Sequence, residues 1–469
     1  MAETRLERKL GLFPATNIVV ANMIGAGIFT TSGLLMAGLN NPLLMLALWL
    51  VGGIIALCGA LSYGELGAAM PGAGGEYLFL SRLYHPVFGF LSGWVSFIVG
   101  FSAPIAASAL GFSEYFTRAL PALPQWFKEA GLFGETGTKT FLAVTVILIF
   151  TLLHYRGIKS GAIVQNVLTL LKVTLIAFLL IAGFFSGKGD IQNFSSGGSA
   201  GQGMSGLKTM GLSLMWIMFA YSGWNASTYL GAEIKNPSKI LPRSLIIGTA
   251  IVIIIYLGIN ALYVYSIQPE EMKGVISIGG LAMGKLFGRS ADVLFSLLIA
   301  FALFSSLSAF IIIGPRVYYS MAKDGLFFRS VAKIHPKFEV PSNSILLQGV
   351  IAIILALSGT FEQVLTYMGF ALGIFPILTV AGVFKSRRMK NHPIKLPGYP
   401  VTQIIYMAAG LMILVLSYLE RPIESSVATV TVLVGIPAYY IFRKKNGNKN
   451  NLEWESRKQV ISQFQQDPL

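Results

Sequence analysis

The chain has 469 residues, of which 54% are hydrophobic and only 12% charged, where an ordinary soluble domain carries about a quarter charged residues. That balance excludes a soluble domain as the bulk of the molecule, so the net charge of +15 is first a question of which loops hold it, before any polyanionic partner is considered. Cys58 is the only cysteine, which excludes an intramolecular disulfide and a cysteine-based metal site.

In chain order, residues 1–11 form a charged tail without the short apolar core and small-residue cleavage site of a signal peptide, so the first apolar run is expected to stay as a span. Runs able to cross a hydrocarbon core of roughly 30 Å recur at 12–37, 42–69, 87–117, 140–155, 160–185, 209–232, 243–267, 290–315, 343–358, 363–384, 400–418 and 424–442. They predict an all-α integral membrane protein with twelve transmembrane helices. With the N-terminus inside, 25 of the 35 basic residues fall in the tails and inward loops and 9 in outward segments, and Lys172 lies within a span. The asymmetry predicts a multi-pass protein of the plasma membrane (the inner membrane in a Gram-negative cell) with both termini cytoplasmic. The charge then reports orientation, and no nucleic-acid partner is expected.

The first span is interrupted at Gly25-Ala26-Gly27, and the sixth at Phe219-Ala220-Tyr221-Ser222-Gly223. The interruptions are five spans apart. An odd repeat length reverses the second copy, so residues 12–185 and 209–384 are expected to form two five-helix halves related by a pseudo-twofold axis in the membrane plane. Residues 400–442, helices eleven and twelve, lie outside the repeat, and 443–469 is a solvated tail.

A helix broken in mid-membrane leaves amide and carbonyl groups that must be satisfied by protein, water or ligand. Small residues spaced as Gly25-x-Gly27 also occur where helices merely pack closely, and the paired break favours the site reading. After Gly25 a half-helix begins, with amides and a positive dipole end suited to an anion. The half-helix ending near Phe219 to Ser222 offers carbonyls suited to an ammonium. Together they suit a zwitterion, the common part of every α-amino acid. Phe219 is either an aromatic lid over that site or a packing residue, with the lid preferred. Tyr221 and Trp224 divide evenly between the two roles.

Lys172 stands in the apolar run Val167 to Phe184, where an ionisable side chain costs at least about 2.5 kcal/mol without a partner. Its expected acceptors are Ser305, Ser306 and Ser308 and carbonyls of the broken first helix, where its ammonium could take the place of a bound sodium ion; snorkelling to an interface is the plainer reading. Proton coupling through a buried Lys172 is an open alternative. Glu65, Glu114 and Glu233 lie near span ends and read as interface carboxylates or salt-bridge partners. No buried acidic residue is evident at the centre. The four histidines are dispersed, and no phosphate-binding loop or nucleophile-base constellation stands out, so no enzyme activity, metal site or cofactor is expected.

Gly25-Ala26-Gly27-Ile28-Phe29, Tyr63-Gly64-Glu65-Leu66, Gly74-Gly75-Glu76-Tyr77, Phe219 to Asn225, Glu233-x-x-Asn236-Pro237, Pro315-Arg316 with Asp324-Gly325, and Arg421-Pro422 occur in an order and spacing that resembles the amino acid-polyamine-organocation superfamily, specifically its L-type amino acid transporter branch. The resemblance covers essentially the whole chain. It implies a LeuT-type 5+5 inverted repeat plus two C-terminal helices, with the substrate carboxylate on amides near Ala26 and Gly27 and the amino group on carbonyls of Met23, Phe219, Ala220 and Ser222. It also implies Phe219 as gate and Lys172, with Ser305 and Ser306, as substitute for a sodium site. Animal L-type members join a heavy subunit through a cysteine after the third span. Here 120–139 has none, so no disulfide-linked heavy subunit is expected. Ala26 stands where many relatives have serine, and Gly369-Phe370-Ala371-Leu372-Gly373 shows no polar selector, which leaves side-chain specificity open. The implied activity is sodium-independent exchange of L-amino acids. Proton symport, a transport-incompetent receptor and polyamine transport are the alternatives.

Overall fold

The computed structural model describes residues 8, 10–72, 74–156, 158–198, 201, 203–336, 340–388 and 394–445, with side chains except at 158–169, 316 and 445. The expectations placed on the ends of both tails, on His392 and on the Arg316 side chain therefore lie outside the described residues. Among the described residues there are eighteen α-helices and no β-strand beyond an isolated bridge between Leu10 and Ile234.

The first interrupted run is two helices, α1 (Leu12–Met23) and α2 (Ala26–Leu39). Next come α3 (Pro42–Ala69) and the short α4 (Glu76–Leu83), then α5 (Pro86–Val95) and α6 (Ser102–Ala119), joined through a π-helical turn at Ser96–Gly100. The small α7 (Ala122–Glu129) leads to α8 (Glu135–Tyr155) and α9 (Ile158–Phe185). After α10 (Gly203–Ala220) the chain runs through a 3₁₀ turn at Ala226–Tyr229 into α11 (Pro237–Ser266). Two short helices, α12 (Pro269–Met272) and α13 (Ile278–Phe287), precede the longest, α14 (Arg289–Lys323). The last four are α15 (Ser342–Ser358), α16 (Phe361–Ser386), α17 (Val401–Glu420) and α18 (Pro422–Lys445).

Helix starts follow local chemistry. The Asn41 side chain accepts the Leu44 amide at 2.9 Å ahead of Pro42 at the first position of α3, where a missing N–H costs nothing. Thr360 and Gln363 form a reciprocal capping box on α16. Each of the twelve apolar runs overlaps a helix, the sixth only over its first part, and nine helical segments among the described residues are long and apolar enough to cross a membrane. The described apolar part of α9 (Leu170–Phe185) and α15 are shorter. α14 continues two turns past Pro315, where the sequence reading ended the span; proline is tolerated inside membrane helices when neighbouring groups satisfy the freed carbonyl. The sixth run is not one interrupted helix: α10 stops at Ala220, and only turns and the 3₁₀ segment follow before Pro237.

Packing separates an enclosed centre from a periphery. α2 packs on α10, α3 on α11, α6 on α14 and α8 on α15. α17 and α18 turn Leu411, Ile423 and Val430 outward, an apolar surface of the kind lipid covers. α4 buries Glu76, Phe79, Leu80 and Leu83.

Candidate substrate site at the paired helix breaks

The first break occupies only Ile24 and Gly25. Gly25, with extended backbone, starts α2 without any side-chain cap, so the amides of Ala26, Gly27 and Ile28 have no acceptor four residues back in their own helix. At the second break the Ser222 amide reaches the Phe219 carbonyl at 2.8 Å, tightening the last turn of α10. Gly223, at φ +96°, then carries the chain away, a conformation that disfavours any side chain.

The breaks touch. A Cβ built on Gly27 would lie 2.5 Å from the Ala220 Cα, and one on Gly223 would lie 2.9 Å from the Asn22 carbonyl carbon. The Tyr256 hydroxyl of α11 links them, lying 2.5 Å from the Met23 carbonyl oxygen and 2.9 Å from that of Ala220. The Gly25 amide makes contact with the same hydroxyl. Three of the four carbonyls expected to be open to an ammonium therefore already face donors within the protein: Met23 and Ala220 share the single hydroxyl proton of Tyr256, and Phe219 accepts from Ser222. Each keeps a second lone pair.

Lys172, 1% exposed, donates from α9 to the carbonyls of Ala21 at 3.1 Å and Ile24 at 2.5 Å. Ser306 of α14 donates to the same Ile24 carbonyl at 3.4 Å. Ser305 is fully buried beside it in sequence. Ser308 is engaged elsewhere, 2.9 Å from His154 Nε2, so of the three serines expected at Lys172 this one faces another partner.

A cavity of about 150 Å³ is lined by Asn22, Phe219 and Ser222 at the breaks, by Ser96 and Gly100 of the π turn, and by Glu76, Asn225, Tyr229 and Tyr406. The π turn widens the helix where it meets this cavity, a common place for such a defect; its extra residue is accommodated by the Phe101 amide reaching Ser96 at 3.0 Å and the Ser102 hydroxyl reaching Phe97 at 3.0 Å. Gly25, Ala26, Gly27, Met23 and Ala220 do not line the cavity. Trp224 does, packed edge-on against Tyr63 at 4.7 Å between ring centres. Tyr221 is buried with its hydroxyl on the Trp49 carbonyl at 3.0 Å, which makes it a packing residue.

No buried acid near the centre is evident in the sequence, but the cavity wall holds one. Glu76, 9% exposed, lines the wall and accepts from the Tyr63 hydroxyl at 2.7 Å, the Asn225 amide at 3.1 Å and the Ser92 hydroxyl at 3.3 Å. Burial pushes its carboxyl up to about 7, against the three hydrogen bonds that favour the charged form. Glu65 pairs with Arg387 at 2.5 and 2.6 Å, and Glu114 with Lys139 at 3.0 Å. The carboxylate of Glu233 makes no ion pair with the described residues, but its backbone carbonyl accepts the Leu10 amide at 3.0 Å.

Among the described residues the chain is helical, with two helix breaks meeting beside a cavity, an arrangement in which small-ligand sites of membrane proteins occur. Residues 10–438 match the family described as amino acid permease, and the chain belongs to that family, within the amino acid-polyamine-organocation superfamily. It is 29% identical over 453 residues to the serine/threonine exchanger SteT of Bacillus subtilis, covering 94% of this chain and 98% of that one. It is 27% identical over 444 residues to the b(0,+)-type amino acid transporter 1 of Mus musculus, covering 94% and 88%, and 26% identical over 472 residues to the large neutral amino acids transporter small subunit 2 of Homo sapiens, covering 98% and 83%. The protein is thus a member of an amino acid transporter family and not an enzyme.

Proposed function

We propose that the protein exchanges L-amino acids across the plasma membrane by alternating access, independently of sodium. The observation that carries this reading is the contact of the two helix breaks beside the cavity, with Lys172 bound to the carbonyls of the first break. The substrate carboxylate sits on amides of Gly25, Ala26 and Gly27, and its ammonium on carbonyls of Met23, Phe219, Ala220 and Ser222. Because Gly27 and Ala220 are in close contact, the amides open to a ligand only when the breaks part, which fits a substrate-driven rearrangement. Phe219 is the gate. Lys172, with Ser305 and Ser306, holds α1 to α14 where a sodium ion would otherwise do so.

The reading includes twelve transmembrane helices in a LeuT-type 5+5 inverted repeat, residues 12–185 and 209–384, plus helices eleven and twelve. In support, spans one to four each pack against the span five later, as α2 with α10, α3 with α11, α6 with α14 and α8 with α15. The match to a relative named as an exchanger supports antiport over net uptake. Cys58, lone and buried in α3, supports the absence of a disulfide-linked heavy subunit.

Counterflow in proteoliposomes containing the full chain tests this. Labelled amino acid should accumulate only when unlabelled amino acid is inside. Accumulation driven by a pH gradient alone would instead establish symport, binding without flux a receptor, and uptake of a diamine in preference to amino acids a polyamine transporter. Phe219→Ala should lower flux at least about tenfold while the protein still folds, a loss equivalent to about 1.4 kcal/mol. Unchanged flux in that variant removes Phe219 as the gate.

A further inference from the structure

We infer that Glu76 is the ammonium acceptor on the α4 side of the transport cavity, a position the cargo occupies as it passes between the helix breaks and that face of the protein. The inference deepens the transporter reading above and rests on it.

Three observations meet at this residue. The carboxylate lies on the wall of the same cavity that Phe219 and Ser222 line. Its three partners, Tyr63, Ser92 and Asn225, are neutral groups that each donate to the carboxylate, and none of them balances its charge. No lysine, arginine or histidine pairs with it among the described residues. A buried anion held by neutral donors, with no cation of its own, is costly unless a cation visits. Every α-amino acid brings one.

The partners also place Glu76 at a junction. Tyr63 belongs to α3, Ser92 to α5, and Asn225 to the segment that follows the second break. A cargo ammonium docking there supplies the positive charge that the neutral donors lack, beside the segment that follows the second break. The other titratable groups facing Glu76 are the phenols of Tyr63, Tyr229 and Tyr406, which stay protonated near neutral pH. The carboxyl is therefore the group that changes charge there.

The test uses oriented proteoliposomes and whichever labelled L-amino acid gives the largest wild-type counterflow among the twenty. Glu76→Gln should raise the KM for substrate offered from the α4 face about tenfold, with KM from the opposite face unchanged and Glu76→Asp in between. The preserved opposite-face KM shows that the variant is folded. Wild-type KM from the α4 face should also rise as the pH falls from about 8 to about 6, because protonation removes the charge, and Glu76→Gln should be flat across that range. A KM unchanged from both faces, an equal loss of turnover from both faces, or a pH profile shared by wild type and Glu76→Gln overturns the assignment and leaves the transporter reading standing. A wild-type chain that moves none of the twenty overturns both.

Discussion

Lys172 and Tyr256 both act on the first break, and they differ in how they could be recognised. A lysine inside an apolar run announces itself, since the membrane penalty demands a partner; its two carbonyl acceptors, Ala21 and Ile24, lie on the broken first helix. Tyr256 has no such signal, being one of 18 tyrosines in the chain, and only the packing of α11 against α1 brings its hydroxyl to Met23 and Ala220. Glu76 was visible only as part of a motif. Its burial depends on how α4 folds back, which no local pattern encodes. Lys172→Met, close to isosteric with the lysine stem, should leave the Ala21 and Ile24 carbonyls short of a donor at about 1–3 kcal/mol per unsatisfied group. The expected result is a lower melting temperature in detergent and loss of counterflow, while wild-type flux is indifferent to replacing sodium with choline. Flux in Lys172→Met equal to wild type, or a wild-type requirement for sodium, would remove the lysine from this role.

At the scale of elements, apolar run length located helix in each of the twelve places, though only over 209–220 of the sixth run, and Gly25 and Gly223 marked where the chain bends. The short helices α7, α12 and α13 were not legible, because a few amphipathic turns between spans carry no membrane-length signal. Nor was the link between α3 and α16. Glu65, fully buried, binds Arg387 with both carboxylate oxygens, accepts the Leu396 amide at 3.0 Å, and holds the guanidinium 3.9 Å over the Tyr399 ring. Sequence offered only a carboxylate near a span end, since its partner lies 322 positions away. Removing one member of such a pair strands the other charge, at about 3–5 kcal/mol, whereas replacing both with apolar residues of similar volume is nearly neutral. Glu65→Met and Arg387→Met should therefore each lower the melting temperature sharply, and the double variant should recover most of the loss. Additive losses in the double variant would show that each residue stabilises the fold through other contacts.

For the whole molecule, orientation follows from counting basic residues against spans, a reading that depends on the number of crossings being right. On the proposed topology an even number of spans puts both ends on one side, and the excess of lysine and arginine in the tails and alternate loops predicts that this side is the cytoplasm. The structure offers a direct way to check the parity. Cys58 is buried at 5% exposure in α3, so the wild-type chain should give little background with a membrane-impermeant maleimide. Trp126, 60% exposed in α7, follows the third span, and Ile334, 51% exposed, lies between α14 and α15, after the eighth. An odd number of crossings separates them, so they must face opposite sides. Trp126→Cys should label in intact cells and Ile334→Cys only after permeabilisation. The reversed pattern would invert the orientation while keeping the parity, and it would place the Glu76 side of the cavity outside. Labelling of both in intact cells would mean that the spans between them have been miscounted, and the inverted repeat would lose its basis, because an odd number of helices in each half is what turns the second break to face the first.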